Sequence, residues 1–284
     1  MTKPVLICPD DPSLLDRLAG QSLGLRVAPS ADVAATVEAV RRQNGLFRLL
    51  VEADEPLAAV KPNHAWRGLP VDLMVPSAGR FADLAGRLDE VRSLGITVCL
   101  PIGGTGLRDA RTLASLGIRT RLGLDGMPDW DALGDLMTYA LLELVAHAPI
   151  EPFQTIADHS RTDARTTDWS SALFDDPLRF LHLSADGRIA LSRRDLLNEE
   201  FVGDLAMLGS PALAEAQQAR SEAWRQLFLD DHPCARCPGF RLCRGRYAEG
   251  DAKGAGMAEG CAGFFTEMAG VLEQRWLRPE ARPW

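Results

Sequence analysis

The sequence lacks an excess of basic residues. Its 284 residues include 31 Lys and Arg against 39 Asp and Glu, which leaves a formal net charge of −8. A protein that holds nucleic acid by its phosphates needs a basic face. The charge balance therefore argues against a general nucleic-acid-binding function.

The sequence also lacks an apolar run long enough to span a bilayer. The longest apolar segment, residues 136–148, contains Glu143 and His147, whereas a membrane-spanning helix needs roughly 20 predominantly apolar residues. The apolar run at residues 4–8 is interrupted at once by prolines and aspartates, so we do not expect a secretory signal. We expect a cytoplasmic protein, in a compartment where thiols stay reduced.

Internal repeats and low-complexity segments are missing as well. The hydrophobic fraction of 46% and the charged fraction of 25% are typical of an ordinary globular protein. A chain of this length can bury one large core or two modest ones.

Strand and helix patterns alternate over residues 1–160. The strands are near-continuously apolar, which is typical of a parallel sheet covered by helices, and the pattern predicts an α/β partial or closed barrel. The predicted strands are residues 4–8, 47–51, 71–75, 96–102, 118–124 and 152–156, and the predicted helices are residues 30–42, 80–93, 107–116 and 130–146.

The pattern changes in residues 161–284, which we interpret as a second, smaller α+β domain. Residues 180–191 alternate around a turn at Ala185-Asp186-Gly187, which predicts a β-hairpin. A helix is expected from Ser210 or Pro211 to about Leu229, and a last helix from about residue 263 to residue 276.

Four of the six cysteines follow the spacing C-x2-C-x5-C-x17-C, at Cys234, Cys237, Cys243 and Cys261. Two cysteines three residues apart can turn both sulfurs toward one centre, and two more complete a tetrahedral set of soft ligands. A metal is favoured over disulfides because nothing marks the chain for an oxidising compartment. Zinc and an iron–sulfur cluster both stay open on spacing alone, although Pro238 directly after a ligand favours a cubane cluster.

Two other residues could be considered for a part in the metal site, but each has a simpler structural interpretation. Cys99 lies inside an apolar strand and is expected to be a small core residue. His232 is close enough to Cys234 to hydrogen-bond a sulfur, but a solvated loop histidine is the favoured interpretation.

The order of these motifs resembles that of a radical SAM enzyme with a C-terminal SPASM/twitch domain. The hairpin LSADGRIAL, the following helix, the run CARCPGFRLCRG and the late GCAGFF match that family in order. Upstream, the segment Ala53-Asp54-Glu55-Pro56 resembles the Gly-Gly-Glu-Pro segment that contacts S-adenosylmethionine there. The resemblance implies a radical-SAM-type partial barrel followed by a SPASM/twitch-like iron–sulfur domain.

The resemblance also implies that the catalytic cluster is missing. The family's C-x3-C-x2-C motif, placed on Cys8, falls on Pro12 and Leu15 at its other two positions. Side chains at Ala53 and Asp54 replace the bare Gly-Gly backbone. Cys8, Ala53, Asp54, Glu55 and Pro56 are therefore interpreted as a vestigial cofactor site, and no catalytic residue is assigned.

SPASM domains usually hold two auxiliary clusters, and the resemblance implies that this chain keeps one. The positions that match the first cluster's ligands are Ser192, Leu208 and Tyr247, which have no thiols. The second cluster's set is complete in Cys234, Cys237, Cys243 and Cys261. This pattern favours one [4Fe–4S] cluster, with zinc as the alternative.

The function that the resemblance implies is an accessory role in peptide or protein modification or in cofactor maturation. Such a pseudoenzyme would bind a substrate peptide or an active maturation enzyme, or relay electrons, without cleaving S-adenosylmethionine. Two alternatives stay open: a zinc-stapled scaffold, and a non-radical enzyme that uses the barrel mouth.

Overall fold

The computed structural model describes residues 3–29, 33–43, 45–61, 63–123, 127–143, 145–159, 169, 174–248 and 260–277. Within these residues the chain forms ten strands and twelve α-helices. The strands are β1 (Val5–Pro9), β2 (Ser22–Val27), β3 (Gly45–Glu52), β4 (Val71–Met74), β5 (Thr97–Leu100), β6 (Arg119–Leu122), β7 (Ile150–Glu151), β8 (Phe180–Leu183), β9 (Arg188–Ala190) and β10 (Gly203–Asp204).

The helices alternate with the strands in the first half and dominate the second. They are α1 (Pro12–Arg17), α2 (Val33–Gln43), α3 (Phe81–Ala85), α4 (Leu88–Leu94), α5 (Gly106–Ser115), α6 (Trp130–Leu141), α7 (Phe153–His159), α8 (Arg193–Leu197), α9 (Pro211–Ser221), α10 (Trp224–Leu229), α11 (Phe240–Cys243) and α12 (Cys261–Leu277). Short 3₁₀ turns are formed by His64–Trp66, Leu205–Met207 and Pro233–Arg236.

All ten strands belong to one sheet, in the order β10-β9-β8-β1-β2-β3-β4-β5-β6-β7. Strands β1 to β7 lie side by side in chain order and are parallel, and β8 pairs in parallel with the other side of β1. Right-handed crossovers between sequential neighbours put the connecting helices on one face of a sheet, as in a barrel. The fold is therefore α/β with a mostly parallel sheet, an order compatible with a partial barrel.

The two faces of the sheet carry different side chains because successive residues of a strand point to opposite sides. On the helix-packed face, alternate residues such as Leu23, Leu25, Leu73 and Val98 join the main core and are at most 1% exposed. The opposite face holds a smaller apolar cluster of Ile7, Leu50 and Phe180. Charged side chains fill much of the rest of that face, as described below.

The predicted strand at residues 152–156 is wrong. Strand β7 ends at Glu151, and Phe153–His159 is the helix α7. The Glu151 carboxylate accepts a hydrogen bond from the Thr155 amide at 3.0 Å and so caps the first turn. Phe153 and Ile156, three residues apart, are fully buried, a helical spacing that a short apolar window does not distinguish from a strand.

Strand β2 and helix α1 were not predicted. Asp11 caps α1 by accepting a hydrogen bond from the Leu14 amide at 3.0 Å, and Pro12 occupies the first turn. The helix predicted over residues 80–93 is divided into α3 and α4, and the one predicted from residue 210 to about residue 229 is divided into α9 and α10.

The predicted hairpin is confirmed, because β8 and β9 pair in antiparallel fashion through His182–Ala190 and Leu183–Ile189. Its first strand is also hydrogen-bonded to β1, so one sheet continues across the boundary predicted at residue 160. The division into domains 1–160 and 161–284 stays a prediction. In the described part of the chain, each helix is too short or too polar to cross a bilayer.

A substitution at Leu181 tests whether the hairpin shares the main core of the sheet. Leu181 is fully buried there, although it lies 20 residues beyond the predicted boundary. We expect Leu181→Ala to lower the free energy of unfolding by about 2–5 kcal/mol, because it leaves a cavity in a shared core. Urea unfolding followed by circular dichroism measures the change. Leu197→Ala, at a side chain that is 63% exposed, is the control, and an equally small effect of both variants would contradict the shared core.

Candidate functional site

The four spaced cysteines lie on or directly after two short elements and at the start of one long helix. Cys234 is in the 3₁₀ turn Pro233–Arg236, Cys237 directly follows that turn, Cys243 ends α11 and Cys261 begins α12. Cys234, Cys243 and Cys261 are buried and Cys237 is half-buried. All six cysteines of the chain are in the described residues, and each is a free thiol.

The backbone turns back toward Cys243 directly after it. Arg244 and Gly245 have φ values of 48° and 75°, in the left-handed region. Hydrogen bonding from Cys261 and from the backbone at Gly245 and Arg246 lowers the pKa of Cys243. The Arg246 amide donates to the Cys243 carbonyl at 3.0 Å. Amide donors around a sulfur stabilise its thiolate form, the form that binds metals.

The pKa values of two other thiols of the set are also shifted by the neighbouring sulfurs. The hydrogen bond to Cys243 and burial raise the pKa of Cys261, and negative charge on Cys234 and Cys237 adds to the effect. Burial raises the pKa of Cys234 to about 11, with contributions from Cys243 and Cys237. The four predicted ligands are thus near neighbours in space.

The donor set suits a thiolate-bound group, but the side chains are not arranged as a finished cage. Throughout the described residues, no three Cys, His, Asp or Glu side chains are gathered closely enough to hold a metal ion. Thiols are nevertheless the ligand type that zinc and iron–sulfur clusters take, and these four are near one another, three of them buried. We therefore identify Cys234, Cys237, Cys243 and Cys261 as the residues that could hold such a group.

We call the segments that carry the four spaced cysteines the cysteine module. Three glycines let this module pack closely against its surroundings. A Cβ at Gly239 would lie 2.4 Å from Phe265 Cβ, and one at Gly245 would lie 2.2 Å from Leu227 Cδ1. Gly260, with φ of 83°, packs on the Trp130 ring, which a Cβ would approach to 2.8 Å. A side chain at these positions would displace the loops that carry the thiols.

An aromatic cluster joins the module to helix α6. The Tyr247 ring lies 4.9 Å from the Trp130 ring, centre to centre, and 6.0 Å from that of Phe265 on α12. Trp169 packs edge-on against Phe265 at 5.5 Å and against Phe153 of α7 at 5.8 Å. Edge-to-face aromatic packing of this kind adds to the energy of burial, so the module is fixed to the helices of the sheet.

His232 is not the solvated loop histidine that we expected. It is 6% exposed, and its Nδ1 accepts the Cys234 amide at 3.1 Å. The histidine therefore positions the backbone of the first cysteine rather than binding its sulfur. Its Nε2 is buried without a hydrogen-bond partner within the described residues.

The predicted vestigial site is divided between two environments. Cys8 is fully buried in the main core on the helix-packed face, and burial raises its pKa to about 12. Pro12 and Leu15 belong to α1, where Leu15 also enters the core.

The segment Ala53-Asp54-Glu55-Pro56 directly follows β3. The Ala53 amide donates to the Met74 carbonyl at 2.9 Å, and Asp54 and Glu55 are exposed. The segment therefore lies at the carboxyl edge of the sheet, whereas Cys8 is enclosed in the core.

A cavity of about 90 Å³ opens on the opposite face of the sheet, and the sequence did not predict it. We call it the arginine cavity. Its charged lining consists of Asp72, Arg121, Asp175, Arg193, Arg194 and Arg246, and its other lining residues include Ile7, Leu50, Met74, Cys99, Phe174 and His182. Cys99 is buried as predicted, and burial raises its pKa, which makes it an unreactive thiol.

A fully buried carboxylate organises the charges at this cavity. Asp72 on β4 accepts a hydrogen bond from Arg48 Nη1 at 2.7 Å, and its other oxygen lies 3.3 Å from Arg121 Nε. The guanidinium of Arg121 lies 4.5 Å from the centre of the Phe174 ring. The pairing compensates the cost of burying the carboxylate, and the ring packs on the arginine by a cation–π contact.

His182 on β8 lies at the same cavity and is 4% exposed. Its Nε2 is 3.3 Å from the Phe174 carbonyl, so Nε2 donates the proton and Nδ1 has the lone pair. Nδ1 has no hydrogen-bond partner in the described structure. Burial lowers the pKa of His182 to about 4, so the ring is neutral near pH 7.

Arg246 connects the arginine cavity to the cysteine module. Its Nη1 lies 2.6 Å from the Asp175 carboxylate, while its backbone amide donates to the Cys243 carbonyl at 3.0 Å. A signal for the cavity was present in the sequence: charged residues interrupt the strands at Arg48, Asp72 and Arg121. On a strand that alternates between two faces, such charges belong to one side.

The fold and the two sites define an α/β protein with a cysteine module and an arginine-lined cavity on one sheet. Comparison with family models, curated proteins and solved structures finds no match for this chain. The resemblance described above therefore stays a prediction.

We expect His182 to make stability depend on pH. Its pKa falls from 6.5 to about 4 on folding because burial disfavours the charged ring. Between these two values the unfolded chain binds more protons, so stability is full above about pH 6.5 and declines as the pH falls toward 4, by about 3 kcal/mol in total. Arg26 and Arg193 reinforce the shift and Asp195 opposes it.

Urea unfolding from pH 7 to pH 4 measures this dependence. The decline should be smaller by most of that amount in His182→Phe, and unchanged in His64→Phe, where the histidine side chain is 76% exposed. Parallel profiles for wild type and His182→Phe would contradict a buried neutral histidine.

Proposed function

We propose that the protein is a radical-SAM-like pseudoenzyme that binds one [4Fe–4S] cluster through Cys234, Cys237, Cys243 and Cys261. The protein has an accessory role in peptide or protein modification or in cofactor maturation. In that role it binds a substrate peptide or an active maturation enzyme, or it relays electrons. The resemblance in motif order supplies this function class, and the proximity of the four thiols supports the site.

The observation that carries the proposal is the environment of Cys243. Hydrogen bonding from Cys261 and from the backbone that follows Cys243 lowers the pKa of this buried thiol. Amide donors to thiolates also set the potential of iron–sulfur clusters. Burial raises the pKa of Cys8 and of Cys234, and the hydrogen bond to Cys243 together with burial raises the pKa of Cys261, so Cys243 differs from these buried thiols in the direction of its shift.

When bound, a [4Fe–4S] cluster supplies one-electron transfer or a structural cross-link of the module. The chain's own residues hold the four thiols in place through the close packing of Gly239 and Gly245 and through the Tyr247 contacts. Arg236, Arg241, Arg244 and Arg246 lie in the same module. Their charge offsets that of a tetrathiolate group, or meets an acidic partner.

The environment of Cys8 supports the loss of S-adenosylmethionine chemistry. Three clustered thiolates would be needed for a cluster with an open iron, and the matching positions are Cys8, Pro12 and Leu15. Cys8 and Leu15 are packed in the main core. Asp54 and Glu55 are exposed where bare glycine backbone would admit the ligand.

Two other functions remain as candidates. A zinc-stapled scaffold uses the same four cysteines without redox chemistry. A non-radical enzyme is favoured by one observation, the arginine cavity, which combines buried charges with a neutral histidine.

Metal analysis separates the cluster from zinc. We expect protein purified without air to be brown and to hold about four irons and four sulfides per chain. Cys243→Ala should lose the iron, while Cys99→Ala, which removes a buried thiol outside the module, should keep it. Stoichiometric zinc without absorbance near 400 nm, in protein never exposed to air, would establish the scaffold instead.

We expect no reductive cleavage of S-adenosylmethionine. A cubane held by four cysteines has no open iron, and the residues at the catalytic positions supply one thiol. The measurement is anaerobic incubation with dithionite and S-adenosylmethionine, followed by chromatography for 5′-deoxyadenosine. Formation of that product above a cluster-free control, and its loss in Cys243→Ala, would overturn the pseudoenzyme proposal.

A further inference from the structure

The arginine cavity contains a buried acceptor that no group in the described residues satisfies. His182 is 96% buried, and its Nδ1 lone pair has no hydrogen-bond partner among the described residues. Leaving a buried polar atom unpaired costs about 1–3 kcal/mol. Because the Phe174 carbonyl fixes the proton on Nε2, Nδ1 can accept a hydrogen bond but cannot donate one.

The charge at the cavity is positive although the protein is acidic. Four arginines and two aspartates line it, a formal excess of two positive charges, in a chain of net charge −8. Asp72 is neutralised by the contacts with Arg48 and Arg121, Asp175 pairs with Arg246, and Arg193 pairs with Glu52 at 3.4 Å. The positive excess therefore comes from Arg194 and from the second arginine on Asp72. Guanidinium groups match the geometry of carboxylate and phosphate oxygens.

The remaining walls limit the size and character of a ligand. Ile7, Leu50, Met74 and Phe174 make one side of the cavity apolar. A volume of about 90 Å³ admits a few water molecules or one small organic molecule. The cavity can therefore accommodate a ligand that has an anionic group, a hydrogen-bond donor and a short apolar part.

We propose that the arginine cavity binds a small anion, a carboxylate or a phosphate, whose own O–H or N–H group donates to His182 Nδ1. The arginines hold the anionic group, and Arg194, which is exposed at the cavity, is the residue that an entering anion meets. The site is separate from the vestigial segment, since Ala53 to Pro56 do not line it. It also does not depend on a metal at the cysteines.

Isothermal titration calorimetry on the anaerobically purified full-length chain tests this proposal at constant ionic strength. The probes are propanoate, 2-hydroxypropanoate and inorganic phosphate. We expect saturable binding of at least one probe, and a dissociation constant raised about tenfold or more in Arg194→Glu, which removes the positive excess. Arg225→Glu, at an exposed arginine of α10 outside the cavity, makes the same change in net charge and should bind as wild type does.

The arms of the titration distinguish the ligand types. Tighter binding of phosphate than of either acid identifies a phosphate site, and tighter binding of 2-hydroxypropanoate than of propanoate identifies a hydroxy acid site. That preference should disappear in His182→Phe, with circular dichroism confirming the fold of each variant. Absence of saturable binding by all three probes, or equal weakening by Arg194→Glu and Arg225→Glu, would overturn the proposal. If the metal analysis finds no iron, the outcome of this titration is unaffected. The anion-binding proposal and the cluster proposal can therefore be overturned independently of each other.

Discussion

One buried ion-paired carboxylate determines how the opposite face of the sheet is arranged. Asp72 is fully enclosed on β4, and a carboxylate in that position must be compensated by charged neighbours. Its partners, Arg48 and Arg121, come from β3 and β6, so three strands are tied by one group. Phe174 then packs on both guanidinium groups and presents its carbonyl to His182. This face of the sheet thus holds a charged network beside its small apolar cluster.

The cysteine module depends on this sheet more than its position late in the chain suggests. Tyr247 and Phe265 pack on Trp130 of α6, and Arg246 pairs with Asp175 at the cavity. Two kinds of contact, aromatic and ionic, therefore hold the thiols against elements more than 70 residues earlier in the chain. The module's orientation relative to the sheet follows from these contacts.

Sequence patterns predicted the features that depend on local chemistry. The alternating α/β order, the hairpin turn at Gly187 and the last helix, predicted from about residue 263 and observed from Cys261, followed from periodicity and turn residues. Strand β2 was missed because a glycine, Gly24, and an arginine, Arg26, interrupt its apolar run. The arginine cavity could not be derived, because it depends on which strands are neighbours: Asp72 and Arg121 are 49 positions apart in the chain. His232 was misjudged because its burial comes from tertiary packing.

The short strands at the two ends of the sheet have a consequence for how copies of this chain meet. β7 and β10 are two residues long each, and Pro152 follows β7. A sheet of ten strands exposes unpaired backbone groups at its edges, and long flat edges recruit further strands from other molecules. Edges this short leave few amides and carbonyls to pair, and a proline has no amide to donate. The sheet is thereby protected against growth into edge-to-edge aggregates, whichever ligand or metal the protein binds.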